Sequence, residues 1–336
     1  MKYIVLIVAI TSMASCSNNE EETIEYRTRY FDFNNHYWVN LHHFLYQKAD
    51  SSQLRKLQED GLSFLEIGDS IAEARLLGDE KEVLGKAIDY YKDSLTIKSL
   101  RRDLASLKVW LQEKEEFKTI TDTSFGIKFI EILNGVSPVY KEHFWELHKS
   151  HNLSILTRHI ETISKIEDEV INKMEALSLN PWPDSAMVRV DMTAYANWAG
   201  AYTSSKPKMN IVISSTAPSQ TTSSFVETIL HEGSHLLYLF GESPIRDKFY
   251  YKSEDLGMKF PRNLWHASMF YLCGRATQDA LSELSISHEM VMDKSNIFTN
   301  YNTPGFRHIN EEYYNGKIGP DSMVIRLLTG IKKKNR

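Results

Sequence analysis

Thiols are nearly absent from this chain. Its 336 residues hold two cysteines, Cys16 and Cys273, too few for a disulfide framework, so a packed core must hold the fold. The apolar surroundings of Cys273 mark it as a buried, inert thiol. Glycine and proline are scarce, at 15 and 9, and are sparse from Tyr26 to Leu179, where little interrupts a helix. A basic stripe is also missing. With 39 Lys and Arg against 44 Asp and Glu, the net charge is −5, which excludes a phosphate backbone as partner; no nucleic acid is expected. Lys332, Lys333 and Lys334 read as a solvated tail. There is no internal repeat and no long low-complexity stretch. What remains is 42% hydrophobic, enough for a sizeable core in one large domain or two modest ones.

The N-terminus holds an address. Met1-Lys2 is a short positive region, and Tyr3 to Ala14 is an apolar run too short to span a bilayer. It ends Met13-Ala14-Ser15-Cys16, which resembles a bacterial lipobox, with Met where Leu is usual. The acidic run Ser17 to Glu22 suits a flexible tether and resembles the surface-export signals of some Gram-negative lipoproteins. The expectation is a signal peptide over 1–16, a lipid on Cys16, a tether over 17–26, and an exported protein anchored to the outer membrane, facing the cell surface. A plain cleaved signal peptide is the alternative.

Beyond the tether, apolar residues at helical spacing predict helices over Tyr37–Ala49, Lys81–Leu95, Leu100–Glu113, Ser137–His151 and Ser154–Leu177. Asn180-Pro181-Trp182-Pro183 stops the last of these. Alternation then predicts a strand at Val188–Thr193. A hairpin follows, in which Tyr195–Tyr202, bent at Gly200, returns through Ser204–Lys208 into Met209–Ser214. Thr222–Phe240 predicts a helix, with a Ser224/Glu227 capping box and a stop at Gly241. A charged connection over Glu242–Lys259 leads to a helix opened by Pro261 and running to Leu284. A final helix is expected over Ser322–Lys333. The expected fold class is mainly α (α+β), with a helical part over 27–180 packed on a catalytic part over 181–336 that carries a small antiparallel or mixed sheet.

Chemistry concentrates in His231-Glu232-Gly233-Ser234-His235. Two histidines four apart on a helix share a face, one turn apart, and can grip one ion. Glu232 lies beside the first ligand and can reach the attacking water as general base. Such a pattern arises by chance in on the order of one protein in a hundred. Its place in mid-helix, just after a strand pair, strengthens it. A third ligand has two candidates. His266 lies on the Pro261 helix among Leu264, Trp265, Met269 and Phe270, and a packed helix gives a ligand fixed geometry; it is preferred. Glu254, 19 residues after His235, is the alternative, set in a charged stretch. His36, His42, His43, His143, His148 and His151 read as packing or surface residues. Tyr202, Tyr238 and Tyr271 are candidate donors to an oxyanion.

Strand, edge strand, HExxH helix and second helix, in that order over Met187–Leu284, resemble the zincin metallopeptidases. YANWAGAYT, HEGSH and LWHASMFYLCG are also similar to an uncharacterised group of exported bacterial lipoproteins. The zincin resemblance implies Zn²⁺ on His231 and His235, Glu232 as catalytic base, and Met209–Ser214 as an edge strand that pairs with extended peptide substrate. Glu254 has the spacing of a gluzincin third ligand, whereas His266 departs from it. The expected function is a zinc-dependent hydrolase, a peptidase acting on peptide or protein substrates. Rival readings are a zincin-like lipoprotein that binds without catalysis, an interaction lipoprotein that works through its helical half, and a zinc amidase acting on a non-peptide amide. No Gly-Ala-Met-Glu-Asn motif for a substrate amine is present, and endo- and exopeptidase both stay open.

Overall fold

A computed structural model describes residues 24–50, 63–95, 101–196, 200–217, 222–239 and 242–334. The signal segment, Cys16, most of the tether and Gly241 lie outside the described residues. No helix among those described is long and apolar enough to cross a membrane.

The fold is mainly helical around one five-stranded sheet. Its strands are β1 (Ile24–Arg27), β2 (Phe31–Asn34), β3 (Val188–Thr193), β4 (Ala201–Ser204) and β5 (Asn210–Ser214), in the order β1-β2-β3-β5-β4. The central pairs β2–β3 and β3–β5 are parallel, and the outer pairs are antiparallel. The sheet is therefore mixed. β1 begins inside the predicted tether (17–26) and β2 lies at the start of the predicted helical part, ahead of its first helix at Tyr37, so the chain is already ordered as strand from Ile24. Both strands are four residues long, too short for alternation to stand out from sequence.

The predicted hairpin forms between β4 and β5, but the edge strand is β4, not Met209–Ser214. β5 lies between β3 and β4, and all five of its residues are buried. An unbroken apolar run such as Ile211-Val212-Ile213 is the mark of an interior strand covered on both faces. Half-exposed Tyr202, Thr203 and Ser204 suit an edge.

The sheet's two faces differ. Phe31, Phe33, Val188, Val190, Met192, Ile211 and Ile213 point into one apolar core. The alternate residues Arg189, Asp191 and Asn210 are also buried but polar. They meet a helical layer formed by α1 (Tyr37–Ala49), α2 (Phe64–Arg75), α3 (Gly78–Ser94), α4 (Arg101–Gln112) and α5 (Ile127–Tyr140), most of which packs around a second core. Asn40 of α1 donates to Met192 O at 3.0 Å, Gln112 of α4 donates to Asp191 Oδ2 at 2.6 Å, and Arg189 pairs with Asp191 at 3.1 Å. The buried Asp191 carboxylate thus has Gln112 and Arg189 as partners.

A π-helical turn, Lys141–Trp145, leads from α5 into α6 (Glu146–Ser178). The helices predicted at 137–151 and 154–177 are thus one run. Pro138 lies inside α5, just before the turn, where the missing N–H loosens the helical ladder. α6 buries Ile155, Leu156, Ile163, Ile166, Val170, Ile171, Met174 and Leu177 in the first core, each worth about 1.5–3 kcal/mol relative to exposure. The sheet and this core draw on both sides of residue 180.

α2 was not visible from periodicity, yet it carries the Ser-x-x-Glu sign: Ser63 N donates to Glu66 Oε2 at 2.6 Å and Glu66 N to Ser63 Oγ at 3.3 Å. The later elements are α7 (Ser224–Ser234), a 3₁₀ turn (His235–Tyr238), α8 (Pro244–Asp255), α9 (Leu264–Glu283), α10 (Val291–Lys294), α11 (Pro304–Tyr314) and α12 (Pro320–Lys334). α8 replaces the predicted charged connection; Ser243 accepts from Arg246 N and Pro244 stands at its first turn. α9 begins at Leu264, three residues after Pro261, whose carbonyl closes the preceding turn.

Candidate metal centre

α7 is buried on every side, beneath β4 and β5 and against α6 and α9. Phe225, Val226, Ile229 and Leu230 fill the core. Its hydroxyls turn back on the helix, with Thr228 donating to Ser224 O and Ser234 to Leu230 O. The predicted Ser224/Glu227 capping box does not form. Glu227 is fully buried instead, accepting from Val291 N at 2.8 Å and meeting His288 Nε2 at 2.6 Å. It ties the loop after α9 to the helix. Gly233 also has a packing reason: a Cβ there would stand 2.7 Å from the Phe31 ring.

His231 and His235 share a face as the spacing predicts, although the α-helix tightens at His235. Their ring centroids lie 5.0 Å apart. α9 brings His266 to 5.2 Å from His231 and 4.8 Å from His235. One ligand atom from each ring lies within 4.8 Å of the others, and the Nε2 atoms of His231 and His266 are 3.2 Å apart. Glu254 takes no part: it is exposed on α8, beside the Tyr250 hydroxyl. Of the two third-ligand candidates, the structure brings together His266.

Three imidazoles are a donor set that suits zinc among other divalent ions. Two nitrogens bound tetrahedrally at 2.0–2.1 Å stand about 3.3 Å apart; His231 and His266 match that at 3.2 Å, while the three ligand atoms together lie within 4.8 Å. Burial holds all three rings neutral, the form that offers a lone pair. It takes His266 down to about 4, helped by Arg246. His231 is lowered well below its ordinary range by burial and then by the other two rings, and His235 by burial, His266 and Arg246. His231 Nδ1 is buried with no hydrogen-bond partner, so packing rather than an acceptor fixes this ring. Phe270 lies 4.2 Å from it, and Phe298 meets His266 edge-on at 5.0 Å. The centre is not sealed, because His235 and His266 are each part-exposed.

Glu232 Oε2 lies 3.9 Å from His235 Nε2. Thr203 on β4 donates to that same oxygen at 2.5 Å. Burial pushes the Glu232 carboxyl up to about 7, against the Thr203 hydrogen bond and the charge of Lys108. Lys108 stands on the other side of β4. It is fully buried, 4.3 Å over the Tyr202 ring and 3.2 Å from Ser204 Oγ. No family model matches the chain, and no curated protein or solved structure matches it.

The remaining candidates have local roles. Tyr202 meets His43 Nε2 at 2.8 Å, away from Glu232, and Tyr271 donates to Glu311. Tyr238 OH is buried without a partner. His36 bonds Lys114 O, His42 meets Tyr91, His143 meets Glu80, His148 meets Asp69, and His151 meets Ser215. Among the described residues they build no second metal-binding group. Cys273 is fully buried and burial raises its thiol to about 12. Thr203, Arg246 and Phe298 were missed from sequence. Thr203 had a signal in its strand beside the motif helix; Arg246 and Phe298 had none.

Proposed function

We propose that this chain is a zinc-dependent hydrolase of zincin type that cleaves peptide bonds. One observation carries the reading: three neutral imidazoles converge on one point with a carboxylate beside them, under a sheet edge. His231, His235 and His266 would hold the ion. Zinc, when bound, supplies Lewis acidity toward the substrate carbonyl and toward water. Glu232 Oε2 takes the proton from the attacking water and delivers it to the leaving amine nitrogen. Thr203 orients that oxygen. β4, rather than Met209–Ser214, is the strand available to pair with an extended substrate backbone. An exported protein held to the outer membrane by a lipid on Cys16 remains part of the proposal.

Metal analysis of the purified chain tests it. Wild type and Glu254→Ala should hold one zinc per chain, and His231→Ala and His266→Ala should lose it. A wild type without stoichiometric zinc sinks the reading. Zinc without hydrolysis of any peptide in a library would favour a binding lipoprotein or an amidase acting on another amide.

A further inference from the structure

Ser223 stands at the N-cap of α7 but does not cap it. A serine there usually turns its hydroxyl oxygen to a backbone N–H of the first turn, and Ser223 makes no such bond. Its Oγ lies instead 2.8 Å from His288 Nδ1. His288 Nε2 lies 2.6 Å from Glu227 Oε2, which also accepts from Val291 N at 2.8 Å. Hydroxyl, imidazole and carboxylate thus form one chain of hydrogen bonds, drawn from α7 and from the loop after α9.

The two bonds of His288 fix its proton. A carboxylate oxygen accepts, so His288 carries hydrogen on Nε2 and turns a lone pair on Nδ1 toward the Ser223 hydroxyl. The side chains of His288 and Glu227 are buried, which strengthens their bond. Ser223 is part-exposed and can be reached by a substrate. Lys294 Nζ donates to Thr222 Oγ1 at 2.9 Å and to Ser224 Oγ at 3.4 Å, the residues on either side of Ser223 in the chain. Together with the N-terminal end of α7, it sets positive charge where negative charge would gather on an attacked carbonyl. Ser223 lies about 12 Å along α7 from His231, and none of the three residues belongs to the metal centre.

We propose that Ser223, His288 and Glu227 form a second catalytic centre, in which a serine nucleophile hydrolyses carboxylic esters. Ser223 Oγ attacks the ester carbonyl while its proton passes to His288 Nδ1. The bond from the carbonyl carbon to the alcohol oxygen breaks, the leaving oxygen takes that proton, and the acyl group stays on Ser223. Water then gives a proton to Nδ1 and attacks the acyl carbon. Ser223 Oγ leaves and recovers the proton, so the products are an alcohol and a carboxylic acid. Glu227 is a positioning residue: it holds the ring and offsets the charge of the imidazolium. An open site has little remote binding to spend on distorting an amide, and an ester needs less. The centre stands apart from the zinc-hydrolase reading and does not depend on it.

A fluorophosphonate probe, from which a serine oxygen displaces fluoride, tests it on the full chain. Mass spectrometry should find the label on Ser223. Wild type should also hydrolyse p-nitrophenyl acetate. Ser223→Ala should lose both label and esterase activity and keep the wild-type metal content and Tm. Glu227→Gln keeps the shape and removes the charge. Its labelling should reach the same final amount at a rate lower by about 10²–10⁴, whereas a purely structural loss would lower the amount and spare the rate. An unlabelled Ser223 in wild type overturns the proposal, and so does undiminished esterase activity in Ser223→Ala. Labelling of Glu227→Gln at the wild-type rate overturns the part given to Glu227.

Discussion

Glu232 is held between two opposing effects. Burial favours its neutral form and the Thr203 hydroxyl favours its charged form. A base must be ionised when water arrives. Glu232→Gln keeps the shape and removes the proton acceptor, so zinc content should be unchanged while turnover falls by about 10²–10⁴. Metal analysis and kinetics on one preparation check this, and retained hydrolysis would refute the mechanism. Thr203→Val removes the donor, which raises the Glu232 carboxyl further. The acid limb of kcat/KM should therefore move to higher pH; a limb that stays put would leave Thr203 a packing role only. The histidines set the response of folding to acid. Burial lowers His36, His43 and His266 to about 4 from 6.5. Between those values the unfolded chain binds protons that the folded chain refuses, so stability falls as pH drops from 7 to 5. Each such ring costs on the order of 2 kcal/mol at pH 5. Urea midpoints of zinc-free protein at the two pH values measure the effect, and equal midpoints would contradict it.

Elements were legible where their periodicity was long and clean. The isoleucine stripe of α6, the β4–β5 hairpin and the shared face of His231 and His235 at the end of α7 follow directly from sequence. What failed was local chemistry overridden by packing. Glu227 reads as a cap and is a buried anchor, because His288 and Val291 arrive from far along the chain. Lys252, Glu254 and Asp255 make α8 look like a loop, but its Ser243-Pro244 start gives it a helix signal. His266 could be preferred over Glu254 on rigidity alone, whereas Arg246 became visible only once α8 was seen to pack on Trp265. Gly233 tests the packing of α7. Alanine in a helix gains about 0.5–1 kcal/mol over glycine, but the close Phe31 contact should cost about 1–3 kcal/mol. The contact outweighs the propensity, so Gly233→Ala should lower the urea midpoint; a rise would mean that Phe31 yields freely.

At the scale of the whole molecule, the three candidate ligands come from α7, the turn after it, and α9. An ion joining them would crosslink elements that otherwise touch mainly through apolar packing. Zinc at about 1,000 times its Kd should stabilise the chain by about 4 kcal/mol, read as a higher Tm that a chelator reverses and that His266→Ala lacks.

Phe31 pairs with Val188, and the helices α1 to α6 lie between them in the chain. β2 is made before its neighbour β3, with six helices between them. Until then Phe31 and Phe33 have no layer to enter, and the ribbon of β1 and β2 offers its open side to any other nascent chain. Pairing across such a span is slow. Folding yield for this protein should therefore depend on crowding and on holdase chaperones during its emergence more than a helical composition alone suggests.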